Sequence, residues 1–227
     1  ILSVAKHFPG HGDTAEDSHY TLPAVHHDRA RLDSVELLPF KRYIYDGYAG
    51  VMTGHLYVPA LDKARNKPVS MSRAVVTDLL QKELGFRGLC FTDALAMKGA
   101  TTRKSDNPSV MALLAGNDIL LAPAAPINDF AAVKEALEEG ILDREEIEAK
   151  IIKILQYKYI AGLNDYRPVE TKGLSERLNS PHAAWLAAKL NEEAITLLKN
   201  EGDIIPLKQL DKKKIAALSI GCLLYTS

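Results

Sequence analysis

Groups that donate, accept or hold a proton near neutral pH crowd into one short stretch, "AKHFPGHGDTAEDSHYTLP", Ala5 to Pro23. It carries three histidines, three acids, a lysine and two glycines, directly after the apolar run "ILSVA". A metal centre would draw on His7, His11, Asp13, Asp17 and His19, which are zinc- or di-metal-ligating types. Their spacing fits no familiar ligand motif, however, and later strands add only His55 and Asp93. A general acid/base would use Asp17 and His19. Two apart on an extended segment, they share one side, and a carboxylate beside an imidazole fixes the tautomer and stabilises the imidazolium. Gly10 and Gly12 would let such a loop fold tightly back over a site; the bland alternative is that His19 is a solvated loop histidine.

Those groups need elements to hold them. Four apolar runs of strand length recur: "ILSVA", "AGVMTGHL" near residues 49–56, "GLCFTDA" over 88–94 and "NDILLAP" over 117–123. Their near-continuous apolar character suits strands buried on both faces, as in a parallel sheet with helical crossovers. Between them lie helical patterns with readable ends. Ser72 is placed to cap a helix with Val75, Val76, Leu79, Leu80 and Leu84 on one face, closed by Gly85. Asn128 starts a second, ended by Gly140. Asp143 with Glu146 opens a third that runs to about Ile160, with Ile147, Ile151, Ile154 and Leu155 as its buried stripe. The alternation predicts an α/β fold, the half of a βα barrel. In a barrel, groups at the C-terminal ends of strands converge on one mouth. Lys6 and His7 end the first strand, His55 the second and Asp93 the third.

With 28 basic and 29 acidic residues, nothing in the charge argues for nucleic acid or an anionic membrane as partner. No apolar run approaches the roughly 20 residues of a membrane span. Cys90 and Cys222 match no metal or redox spacing, and Cys90, inside an apolar run, reads as a buried inert thiol. His26 and His27 read as a solvated run before a helix near Arg29–Leu38. Trp185, the one tryptophan, reads as a packing residue.

The series "KHFPGHGDT", then "D-S-H", then "GFRGLCFTDALAM" resembles the N-terminal domain of family-three glycoside hydrolases, and most closely the β-N-acetylglucosaminidase branch. The likeness covers Ile1 to about Leu163, and "EEAITLLKNEGDIIPL" resembles the entry into that family's second domain. The resemblance implies a (β/α)8 TIM-like barrel of which this chain holds the C-terminal half, with further strands upstream. It implies Asp93 as the nucleophile, His19 as acid/base, Asp17 as its orienting partner, and Lys6 and His7 as contacts to the sugar's hydroxyls. No cofactor or metal is implied, and the partner is a carbohydrate. Asp93 has a rival reading as the cap of a helix from Ala94. His11, Asp13, His55 and Met97 take no role.

The implied reaction is a retaining double displacement that releases terminal N-acetylglucosamine from peptidoglycan- or chitin-derived glycans. Phosphorolysis, β-glucosidase activity, a metal-dependent hydrolase and an inactive sugar-binding paralogue are the alternatives. The expected layout is a partial barrel over 1–163, a linker with a helix from Ser180-Pro181 through Lys199 over 164–213, and the first strand of another α/β domain over 214–227. Residues 222–227 are set apart as candidate foreign or misread sequence. Such a piece is expected to expose a sheet edge and not to fold alone. A two-domain layout favours an exported protein by analogy.

Overall fold

Parallel pairing of three short strands organises the site-bearing part of the chain. A computed structural model describes residues 2–65, 67–100, 106–212 and 214. The chain divides into two units, Ile1–Tyr166 and Arg167–Ser227. In the first, β1 (Val4–Phe8), β2 (Gly50–Thr53) and β3 (Leu89–Thr92) form a parallel sheet in the order β1-β2-β3. Ala5 pairs Val51, which pairs Cys90. That row faces a core of Leu32, Leu37, Phe40, Val75, Val76 and Leu80. The next row, Lys6, Met52 and Phe91, lies on the opposite face, where Met52 and Phe91 are half-buried and Lys6 is exposed. The expectation of strands covered on both faces therefore holds on one face only among the described residues. Cys90 is buried as read, and burial pushes its thiol up to about 11.

The register slips at the end of β1. Lys6 pairs Met52 but Phe8 pairs Thr53, so His7 is the extra residue of a bulge. A bulge re-aims a side chain at the end of a strand. The first strand thus starts later than "ILSVA" suggests and takes in Lys6 and His7 themselves. The fourth run pairs only at one bridge, Phe91 with Ile119. Beyond it the Leu121 N–H donates to Thr92 Oγ1, and Leu95 and Ala96 donate to Leu121 and Ala122 carbonyls. The N–H that would extend a ladder is taken by a side chain of β3 and the carbonyls by the loop after it, so pairing stops at the bridge.

Helix α1 (Arg29–Arg31), capped by Asp28, runs into a π-type turn over Leu32–Glu36 and then α2 (Leu38–Tyr45). The helix Ala74–Glu83 buries Val75, Val76, Leu79 and Leu80, and Gly85 follows at φ +73°. Ser72 does not cap it: its hydroxyl donates to Asp62 Oδ2 at 2.5 Å. After α3 (Pro108–Ala115), helix α4 (Pro126–Glu138) begins two residues before Asn128, because Pro126 suits a first helical turn. Asp143 caps α5 (Arg144–Ile160) through the Glu145 and Glu146 N–H groups. Its predicted stripe is covered only in part: Ile147 packs on Leu113, Ala136 and Leu142 and Ile154 is half-buried, but Ile151 and Leu155 are half-exposed. Past its first turns, α5 is fastened by polar contacts as well. Lys153 reaches Asp118 at 2.8 Å, and the same carboxylate accepts the Cys90 N–H.

In the second unit, α6 (Leu174–Leu178) precedes α7 (Pro181–Ala194), capped by Ser180 as expected. Helix α7 ends before Lys199 because Ile195 is extended. No described residue of this unit is buried. Trp185 is 60% exposed and stacks on His182, so it fills no core. Most of the run "KIAALSIG", like Cys222 and the tail 222–227, lies outside the described residues.

Candidate active site

Asp93 follows β3 directly, and its N–H donates to the Thr53 carbonyl at the end of β2. Its carboxylate Oδ1 accepts the Ala94 N–H at 2.8 Å, and Oδ2 lies 3.3 Å from His7 Nε2. Burial alone would push this carboxyl up, but the contact with His7 and the Ala94 N–H outweigh it and bring it down to about 2. No helix begins at Ala94; the next helical turn is Lys98–Ala100. The capping alternative for Asp93 therefore fails, and the acid is a small, ionised, nearly buried group.

His55 follows the end of β2 by two residues, as read, and lies against the turn after Asp93. It is fully buried, and burial holds its pKa below the usual histidine range. Nε2–H donates to the Ala94 carbonyl at 3.1 Å, leaving Nδ1 to accept from Ser70 Oγ at 2.8 Å. It braces the turn after Asp93 from below.

Asp17 and His19 do meet, though not on an extended segment. Asp17 Oδ1 accepts both the His19 N–H, at 2.9 Å, and the ring Nδ1–H, at 2.7 Å. Tyr20 and Thr21 N–H groups close back on the Asp17 carbonyl, so the pair sits in an Asx-type turn. The hydrogen bonds to His19 hold the Asp17 carboxyl below its ordinary range. With Nδ1 committed, His19 Nε2 is left to give or take a proton. Both side chains are open, 69% exposed for His19 and 58% for Asp17.

Among the described residues no hydrogen bond or ion pair joins His19 to Asp93. Their two loops are tied elsewhere. The Gly99 N–H, on the loop after Asp93, donates to the Ser18 carbonyl at 3.1 Å. Ser18 is 4% exposed between its two open neighbours, and its hydroxyl contacts His11 Nε2 at 3.2 Å. Sequence reasoning gave Ser18, His11 and Gly99 no role, and nothing in their types or spacing marks the tie. Lys6 and His7 line one cavity of about 290 Å³ together with His11, Asp13, Arg31 and Glu36.

One cluster among the described residues has metal-ligand composition: Asp13, His27 and Glu36, with ligand atoms within 4.8 Å of one another. His27 Nε2 lies 2.6 Å from Asp13 Oδ2, so the "solvated" His27 is in fact paired, whereas His26 is exposed. The Arg31 guanidinium stands 3.2 Å from Glu36 Oε1 and 3.6 Å from Asp13 Oδ2. A fixed cation already neutralises these carboxylates, which makes the cluster a poor metal cage.

The family model for the N-terminal domain of glycosyl hydrolase family 3 matches residues 1–157. The chain belongs to glycosyl hydrolase family 3. A family relative, beta-hexosaminidase A of Pseudoalteromonas piscicida, is 35% identical over 92% of this chain. This chain spans 38% of that relative's length. Among solved structures, a family 3 beta-N-acetylglucosaminidase from Paenibacillus superposes with a TM-score of 0.79 at 35% identity, covering 89% of this chain and 39% of that one. A beta-glucoside phosphorylase bound to a fluorinated sugar gives a TM-score of 0.80 at 25% identity, covering 91% and 39%. Within this family 3 domain the observed fold is α/β with a small parallel sheet, and no described helix is long and apolar enough to cross a membrane.

Proposed function

We propose that this chain is part of a retaining, exo-acting β-N-acetylglucosaminidase that removes terminal N-acetylglucosamine from peptidoglycan- or chitin-derived glycans. Its sheet is then a section of a (β/α)8 barrel whose mouth gathers the reacting groups. The observation that carries the reading is Asp93: an ionised carboxylate at the end of a β-strand, flanked by His7, in a chain whose relatives are beta-hexosaminidases.

In the first step His19, protonated at Nε2 and steadied by Asp17, gives its proton to the departing glycosidic oxygen. Asp93 attacks the anomeric carbon, so that a carbon–oxygen bond to the aglycone breaks as an ester to the enzyme forms. Neutral His19 then takes a proton from water, which attacks the same carbon and frees both sugar and carboxylate. Lys6 and His7 contact the sugar's hydroxyls. His7 has a second duty, since its contact with Asp93 keeps the nucleophile charged.

A specific observation favours one alternative acceptor. The group that shuttles the proton is an imidazole, not a carboxylate, so an incoming phosphate approaches a neutral ring, with the Asp17 charge held at its other nitrogen. The likeness to a beta-glucoside phosphorylase points the same way. The test uses the full-length protein with a 5-fluoro glycosyl fluoride of the N-acetylglucosamine series, which keeps the acetamido group, and a 2-fluoro glycosyl fluoride of the glucose series. A covalent sugar on Asp93, read by peptide mass, is expected. A sugar trapped on another residue, or none trapped while substrate is turned over, overturns the assignment. Glycosyl phosphate as the main product in phosphate buffer would move the reading to phosphorolysis. Full activity in EDTA is expected, and its loss would revive the metal-dependent alternative.

A further inference from the structure

We propose that His11 is a positioning residue for the acid/base pair, fixing the Asp17–His19 turn through Ser18. The inference rests on the assignment of that pair above and extends it to a residue that touches neither proton nor sugar.

The turn has few anchors. Asp17 and His19 point into solvent, and their mutual bonds tie them only to each other. Ser18, between them, is the residue whose side chain turns inward. Its carbonyl holds the Gly99 N–H and its hydroxyl meets His11. His11 in turn is held at both nitrogens. Thr14 Oγ1 donates to the His11 carbonyl at 3.1 Å, so it accepts from the ring Nδ1–H at 2.8 Å. That assigns Nε2 as the acceptor of the Ser18 hydroxyl proton. The ring also stands edge-on to His7, with centroids 5.8 Å apart, and His7 reaches Asp93.

A continuous set of contacts therefore runs from the nucleophile through His7 and His11 to the turn that carries the proton donor. An exposed turn without that anchor samples a wider range of positions, and a displacement near 1 Å costs on the order of 100-fold in rate. The cost falls on proton transfer, because the turn carries the proton donor while Asp93 sits on another loop.

Leaving-group dependence reads this directly. A dinitrophenyl group departs without a proton, whereas a methylumbelliferyl group benefits from one. The measurements are kcat/KM on both N-acetylglucosaminides, using full-length protein, with active sites counted by trapping so that misfolded molecules do not enter the rates. His11→Phe and Ser18→Ala are each expected to lose about 10- to 100-fold on the methylumbelliferyl substrate and at least about tenfold less on the dinitrophenyl one. The double variant should lose no more than the worse single, since both act on one bond. His11→Gln, whose amide reaches as far as Nε2, should recover most of the rate. Equal losses on the two substrates, or no loss per trapped site, overturn the proposal. His19→Ala is the control: if it also lacks leaving-group dependence, the acid/base assignment itself fails and takes this inference with it. If it alone shows the dependence, only the role of His11 fails.

Discussion

Asp93 and His19 need opposite protonation habits if the displacement is to run. The nucleophile must be charged whenever substrate arrives, and the loop imidazole must change state within each cycle. The structure separates them by environment. Asp93 is largely buried, which by itself would neutralise it, yet contact with His7 and the Ala94 N–H brings its carboxyl to about 2. Because that value is lowered, Asp93 is ionised throughout the range above it and loses charge only as pH falls toward 2. The acid side of the kcat/KM profile is therefore expected to stay flat until pH approaches the low value at which Asp93 gains a proton. His7→Ala removes the group that does most to lower Asp93 while leaving burial in place, so an acid limb should appear at roughly pH 4 or above. A kcat/KM profile of His7→Ala without that limb would show that something else holds Asp93 ionised.

Between elements, the two reacting loops approach closely at one glycine. A Cβ built on Gly99 would stand 2.8 Å from the Ser18 and Thr21 carbonyl oxygens and 3.1 Å from His55 Cβ. These neighbours are two backbone atoms and a buried histidine, and none gives way cheaply. Gly99→Ala is expected to push the loops apart, costing about 1–3 kcal/mol of stability and about 10- to 100-fold in kcat. Thermal melting and rates on the methylumbelliferyl substrate check it; wild-type kcat would mean the tie is dispensable.

Contacts of this kind are what the sequence hides. Helix ends were legible where one residue decides them, as at Gly85, Gly140, Asp143 and the Ser180-Pro181 start. So were the three paired strands, the apolar face of Ala74–Glu83 and the Asp17–His19 partnership. Ser72 was misread because a distant acid, Asp62, claims its hydroxyl. His27 was misread because Asp13, fourteen residues away, does the same. The run at 117–123 has strand composition, but past Ile119 its N–H is taken by the Thr92 side chain and its carbonyls by the loop after Asp93. In each case a partner remote in sequence overrode a sound local preference.

At the scale of the molecule, apolar surface is arranged to meet something. Only one face of the three-stranded sheet is closed, and β1 pairs on one side alone among the described residues, with Leu2 and Val4 more than a third exposed. Helix α5 turns Ile151, Ile152, Leu155, Tyr159 and Ile160 outward, each at least half exposed. The second unit buries none of its described residues. A sheet edge of this kind is a template for pairing with other chains, and three short strands with one covered face offer little cooperative stability. The 227 residues span 38% of the length of the matched hexosaminidase, so most of what such a relative contains is not here to cover these surfaces. Expressed alone, residues 1–227 are expected to melt without a cooperative transition, to bind a hydrophobic dye, to associate as concentration rises and to hydrolyse no N-acetylglucosaminide. Calorimetry, sedimentation and a methylumbelliferyl assay on the same preparation decide it. A sharp two-state melt from a monomer with turnover would mean that these open faces are tolerated and that Asp93, His19 and Asp17 form a working site with no further chain around them.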